Sequence, residues 1–198
     1  LSIGMAVTIL IGLWLWDEIS FNKKGREHYS SIARVIQNVS NNGEVQTWME
    51  IPHPLAEEIR KNHDQDFDYV TMMLGNYDHL ISIEDKKFTR NGSFMESNGP
   101  HLFSLPMILG TRDGLKDMNS TLISQSLATT LYGDSDPLNK VFSIDDDMEV
   151  KVAGVYEDFP ANSSFQGMDF IAPWDLFASE ADWIKSMRDP WRPNAFEL

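Results

Sequence analysis

The first sixteen residues, Leu1 to Trp16, contain no charge, and the chain then turns at once into an acidic, polar sequence of about 180 residues. Such a junction points to a membrane helix carrying a water-exposed domain. The run LSIGMAVTILIGLWLW covers roughly 24 Å at about 1.5 Å per residue, against a hydrocarbon core about 30 Å thick. It is therefore read as the C-terminal part of a membrane helix, residues 1–16, whose start lies upstream. Trp14 and Trp16 stand at the polar edge, where an indole keeps its ring in the interface and its N–H wet. Ser2, Gly4, Ala6 and Gly12 are small enough to let another helix approach closely in lipid. A signal-peptide core and a buried core helix are the other readings of such a run. The first wants a small-x-small cleavage site, and WLWDEISF offers none. Lys23, Lys24 and Arg26 follow the helix and mildly favour the cytoplasm, but the positive-inside rule weakens for long domains, so charge does not settle orientation.

Residues 17–198 suffice for one globular domain or two small lobes. With 42% hydrophobic and 11% aromatic residues, a packed core can be built. The net charge of −14, from 16 basic and 30 acidic residues, argues against a nucleic-acid or anionic-lipid surface, because phosphate binding needs clustered Lys and Arg. The absence of Cys excludes disulfides, thiolate metal sites and Cys nucleophiles.

Along the chain, Tyr29 to Val39 reads as mostly strand, Asn41-Asn42-Gly43 as a hairpin turn, and Val45 to Ile51 as its partner. Pro52 and Pro54 open a helix with Leu55, Ala56 and Ile59 on one face, ending near Asn62. Strand patterns follow over Tyr69 to Leu74, His79 to Glu84 and Phe88 to Met95, where Asn91-Gly92 suits a tight turn or a bulge. Gly99 to Leu105 suggests a short helix or turn. Ser120 to Ser124 reads as a strand, and Gln125 to Tyr132 as a helix ended by Gly133. The clearest hairpin joins Val141 to Ile144 with Val150 to Tyr156 through Asp145-Asp146-Asp147. Phe170 to Ala172 is the last expected strand, before a Trp-rich, less regular end. Hairpins broken by single helices favour an α+β fold with mixed or antiparallel sheets over a doubly wound parallel sheet.

Signals for chemistry are weak. His28, His53, His63, His79 and His101 are dispersed, so a zinc site would have to be assembled from separate elements. Asp145-Asp146-Asp147 lacks the glycine and the distant Glu of a calcium loop, and Asp134-Ser135-Asp136-Pro137 suits a turn. Ser124, Ser126, Ser163 and Ser164 carry no nucleophile motif, and no phosphate-binding loop is present. No catalytic residue, metal ligand or cofactor site is assigned.

Six separated segments, in order, resemble the MacB-like periplasmic core domain of FtsX-like ABC transporter permeases. IGMAVTILIGLWLWDEISFNK resembles the first membrane helix and its acidic, aromatic exit; His28 to Val35 a following strand; and Pro54-Leu55-Ala56-Glu57-Glu58-Ile59 a helix. Phe94 to Leu109, with Gly110 in place, resembles a fourth segment. LISQSLATTLYGDSDPLNK departs from the family pattern in having Asn139 for the Gly before Lys140. VAGVYEDFPANSSF departs in having Ser164 at a His position. The resemblance implies an extracytoplasmic domain over residues 17–198 of a permease in the bacterial inner membrane, with an inserted lobe at about 69–121 and a chain that continues past Leu198. It implies a cytoplasmic ATP-binding subunit or domain, a second permease copy forming a dimer, and a periplasmic or outer-membrane partner. The domain would transmit ATP-driven motion of the helices and need no active site of its own. The competing expectations are a membrane-tethered sensor or ligand-binding module, and an anchored hydrolase.

Overall fold

The uncharged run at the start forms a helix that does not stop where the apolar residues do. The structure, a computed structural model, describes residues 2–23, 29–185 and 193–197. Helix α1 (Ser2–Ser20) continues through the acidic Asp17-Glu18 pair. Its span Ile3–Ser20 has a mean hydropathy of 1.5, lies fully outside the core, and is long and apolar enough to cross a membrane. After it, the expected strand from Tyr29 begins later. Tyr29–Ser31 is a 3-10 turn and only β1 (Gln37–Asn41) pairs, with β2 (Glu44–Trp48). Ser30 and Ser31 favour local turns over an extended chain, which accounts for the delay. Asn42 and Gly43 take φ of 50° and 84°, the left-handed pair a two-residue hairpin requires.

The chain then forms β3 (Ile51–Pro52) and α2 (Leu55–Asn62). Glu57 and Glu58 in the first turn of α2, with Arg60 and Lys61 in the last, complement its dipole. Arg60 fixes the helix to the next segment by donating to the Val70 carbonyl at 2.9 Å and to Glu96, whose carboxylate accepts from the Met72 N–H at 2.7 Å. Next come β4 (Met73–Leu74), β5 (Tyr77–Ile83), β6 (Lys86–Met95), α3 (Gly99–Leu102) and β7 (Met107–Gly110). After a 3-10 turn at Arg112–Leu115 follow β8 (Ser120–Ser124), α4 (Gln125–Tyr132), β9 (Val141–Ile144) and β10 (Met148–Tyr156). β11 (Phe170–Pro173), α5 (Trp174–Glu180), α6 (Asp182–Lys185) and β12 (Pro193–Glu197) complete the order.

Apart from the β1–β2 hairpin, the strands form one ten-stranded mixed sheet. Six of them close on themselves in the order β5, β6, β11, β8, β10, β9 and back to β5. The β6–β11 and β8–β10 pairs are parallel and the other four antiparallel. Closure leaves alternate side chains either inside or outside the ring. Ile81, Phe94, Ile123, Ile144, Val152 and Phe170 belong to one core cluster, while their neighbours Met95, Leu122 and Ile171 belong to another, with Tyr156 and Leu105. Residues 69–121 supply β4 to β7 and the first two residues of β8 to this sheet, so they share their core with the strands that follow. The fold is α+β, as the hairpin pattern indicated.

Several local expectations are revised. Within 69–74 only Met73 and Leu74 pair as strand. Asn91-Gly92 makes neither turn nor bulge, because Gly92 lies mid-strand opposite Tyr77 on one side and Phe170 on the other. The glycine is needed for contact: a Cβ there would come within 2.1 Å of the buried Phe170 ring. The Trp-rich end is helical in α5, where Trp174 and Leu176 are buried. β7 was not apparent because it is short and owes its extended form to β10; Gly110, at φ 73°, faces Gly154 there. Gly154 sits at an irregularity in the β8–β10 register. Asn139 adopts φ 62° and so makes the turn that glycine makes in the family pattern.

Candidate functional site

Polar residues at the exit of α1 meet a loop far away in sequence. Ser20 ends the helix, and Asn22 takes φ 61°, a left-handed conformation that asparagine adopts more readily than most residues. The chain there turns onto the loop between β10 and β11. The Asn22 N–H donates to the Asn162 carbonyl at 2.8 Å. Its side-chain amide donates to Ser164 Oγ at 2.7 Å, and its Oδ1 accepts from the Ser164 N–H at 2.7 Å. Asn162 returns a bond from Nδ2 to Ser20 Oγ at 3.0 Å. Four neutral hydrogen bonds thus clasp the helix exit to the loop.

The loop is itself held by aromatic packing. Phe165 meets Phe103 edge to face with centroids 4.9 Å apart and Phe159 at 5.3 Å, and Phe159 contacts Tyr156 at 5.6 Å. Tyr156 is fully buried and donates its hydroxyl to the Met168 carbonyl at 2.8 Å. A continuous set of contacts therefore runs from α1 through Asn22, Ser164, Phe165 and Phe159 into the second core cluster. No ionisable group takes part in the clasp's hydrogen bonds, so the contact is insensitive to charge. It can hold the helix and the barrel in register, and it contains no ionisable group to act as a general base.

The residues weighed for chemistry lie apart. His53 is near Trp174, with ring centroids 5.9 Å apart; His63 bonds Asp66 at 3.0 Å and His101 bonds Asp113 at 3.0 Å. His79 bonds Asp145 at 2.6 Å, edge-on to Phe94 and Phe170. His28, Lys24 and Arg26 fall outside the described residues. Among the described residues no three of His, Asp and Glu converge as a metal site. The acidic turn is more than a solvated one: Asp145 accepts from the Leu80 N–H at 2.9 Å, and Asp146 pairs with Lys87 at 2.7 Å, which with Ser82 holds its carboxyl below the usual carboxylate range. Ser124 caps α4, and Ser126 donates to Asp158 at 2.7 Å. Burial raises the Asp169 carboxyl above its ordinary value, with Arg90 at 3.8 Å pulling the other way. Ser163 is buried beside the clasp and accepts from the Phe165 N–H at 3.2 Å.

The clasp escaped the sequence because its two halves lie 142 positions apart. The only available signal was that both halves belong to the quoted segments, one in DEISFN and one in ANSSF.

Solved structures of similar fold include periplasmic and extracellular domains of transporters. In fold the chain is similar to a domain of a protein described as a permease from Porphyromonas gingivalis, with TM-score 0.60 and 24% identity over 78% of this chain and 63% of that one. It is similar to the periplasmic region of MacB from Actinobacillus actinomycetemcomitans (TM-score 0.56, 16% identity, 80% and 74% covered). It is also similar to the extracellular domain of the ABC-type transporter YknZ from Gram-positive bacteria (TM-score 0.52, 15% identity, 70% and 78% covered). The chain thus spans less than two thirds of the Porphyromonas domain, at 63%. No curated protein matches it. The sequence profile of the MacB-like periplasmic core domain, however, matches residues 1–194, nearly the whole length. An apolar helix clasped to a closed mixed barrel, built from segments that follow this profile in order, belongs to the family of MacB-like periplasmic core domains.

Proposed function

We propose that the protein is the extracytoplasmic domain of an ABC transporter permease and that it passes ATP-driven motion of the membrane helices to a periplasmic substrate or partner without catalysing a reaction itself. Residues 1–16 are then the end of the first membrane helix and 17–198 the extracytoplasmic domain. A cytoplasmic ATP-binding subunit or domain supplies the work, and a second permease copy completes the dimer. The observation that carries this reading is the four-bond clasp of Ser20 and Asn22 on Asn162 and Ser164. A helix unbroken to Ser20 moves as a rod, and the clasp makes the barrel follow it. Such neutral bonds contribute about 0.5–1.5 kcal/mol each. Together they can bias a two-state arrangement by tenfold or more, at about 1.4 kcal/mol per factor of ten.

The test uses the intact transporter with a spin label at D134C, on the exposed end of the α4 loop, in each copy. Pulsed EPR distances between the labels are expected to change on ATP binding. In the N22A/S164A double variant that change is expected to disappear while ATP hydrolysis and the barrel's Tm are kept. A response to ATP that survives the double variant in full would sink the clasp as the transmitting contact.

A further inference from the structure

The tip of the β5–β6 hairpin, the last turn of α4 and the start of β9 enclose a cleft of about 470 Å³. That lies within the size range of small-molecule sites. Ile83, Phe88, Leu131 and Val141 make its apolar lining, and Lys86 and Lys140 stand on it. Three other lysines of this acidic chain have carboxylate partners: Lys87 with Asp146 at 2.7 Å, Lys116 with Asp113 at 3.0 Å, Lys151 with Asp117 at 3.7 Å. Lys86 and Lys140 have none among the described residues. Lys140 is half-buried, with Nζ 4.8 Å from the centre of the Tyr132 ring. The Tyr132 hydroxyl is buried with no hydrogen-bond partner among the described residues. A buried polar group usually has a partner, and a half-buried cation favours a counter-charge. Here Lys140 and the Tyr132 side chain both line one cleft of mixed polar and apolar surface, on a chain of net charge −14.

We propose that this cleft binds a small anionic amphiphile of the medium-chain carboxylate class. The ammonium groups of Lys86 and Lys140 hold the acid head, and Ile83, Phe88, Leu131 and Val141 cover the alkyl part. Glu84 on the rim and the carbonyl end of α4 are the opposing negative groups, so the site is selective for one anionic head rather than strongly attracting. The inference does not rest on the transmission reading, since none of these residues touches the clasp.

The experiment places the full chain in phosphatidylcholine nanodiscs and photolabels it with octanoate carrying a terminal diazirine. Labelled residues are mapped by mass spectrometry. Labelling at Leu131, Tyr132 or Val141 is expected, competed by octanoate and not by octyltrimethylammonium. K86Q and K140Q should each lower it about fivefold, K140R should keep it, and E84Q should raise it. Labelling confined to α1 would overturn the proposal, as would cleft labelling that the Lys variants leave unchanged or that the cationic amphiphile competes equally. Circular dichroism of each variant separates loss of the site from loss of the fold.

Discussion

Gly92 shows how little room single residues have in the closed barrel. Its missing side chain is occupied by the Phe170 ring, which is fully buried and sits opposite it in the β6–β11 register. A methyl group forced into that space overpacks the core, which typically costs 1–3 kcal/mol. The G92A variant is therefore expected to unfold about 3–10 °C below the parent in a thermal melt, at roughly 2–4 °C per kcal/mol for a chain of this size. A Tm within 1 °C would show that the ring moves aside freely. Tyr132 carries a different prediction. Burial pushes its phenol up to about 12, above the usual value near 10. The folded state therefore holds the phenolic proton more tightly than the unfolded chain. The stability this provides is full below pH ~10 and is lost as pH rises through about 12. Melting between pH 9 and 12 should show a steeper alkaline loss in the parent than in Y132F. Equal slopes would contradict that coupling.

At the scale of elements, α4 depends on its first turn. Ser124 ends the buried strand β8 and accepts from the Leu127 N–H at 3.1 Å, while Asp158 accepts from the Ser126 N–H at 3.1 Å, so two first-turn donors without intrahelical partners are satisfied. S124A is expected to lower stability by about 1 kcal/mol, and S124T, which keeps the capping hydroxyl, to retain most of it; chemical denaturation measures both, and an unchanged midpoint for S124A would count against the cap. This helix was legible in the sequence, with its start at a Ser after an apolar strand and its stop at Gly133, because capping chemistry acts within a few residues. The β1–β2 and β9–β10 hairpins were legible for the same reason: their turns hold residues that accept positive φ. β7 was not, since Met107–Gly110 carries no alternation of its own and is extended only because β10 offers it hydrogen bonds. α5 was hidden by its Trp, Phe and Ser content, a weak helical signal that the buried faces of Trp174 and Leu176 override.

For the whole molecule, the clasp predicts that connection and stability are separable. N22A/S164A removes exposed hydrogen bonds outside both core clusters, so the Tm should fall by no more than about 3 °C. Hydrogen exchange should meanwhile quicken at residues 21–23 and 162–165 and stay unchanged in β8 and β10. Quickening throughout the barrel would mean that the clasp supports the fold rather than joining it to the helix. The residues alone establish the apolar anchor, the acidic domain, the hairpins and the caps, all of which arise from chemistry between neighbours a few positions apart. They do not establish that β6 finds β11 in parallel, that Asn22 finds Ser164, or that Lys86 and Lys140 border one cleft. Those meetings join positions tens to 142 residues apart. The cost of closing such loops is recovered only when the ring of strands buries both clusters at once, so the pairing is a property of the assembled core.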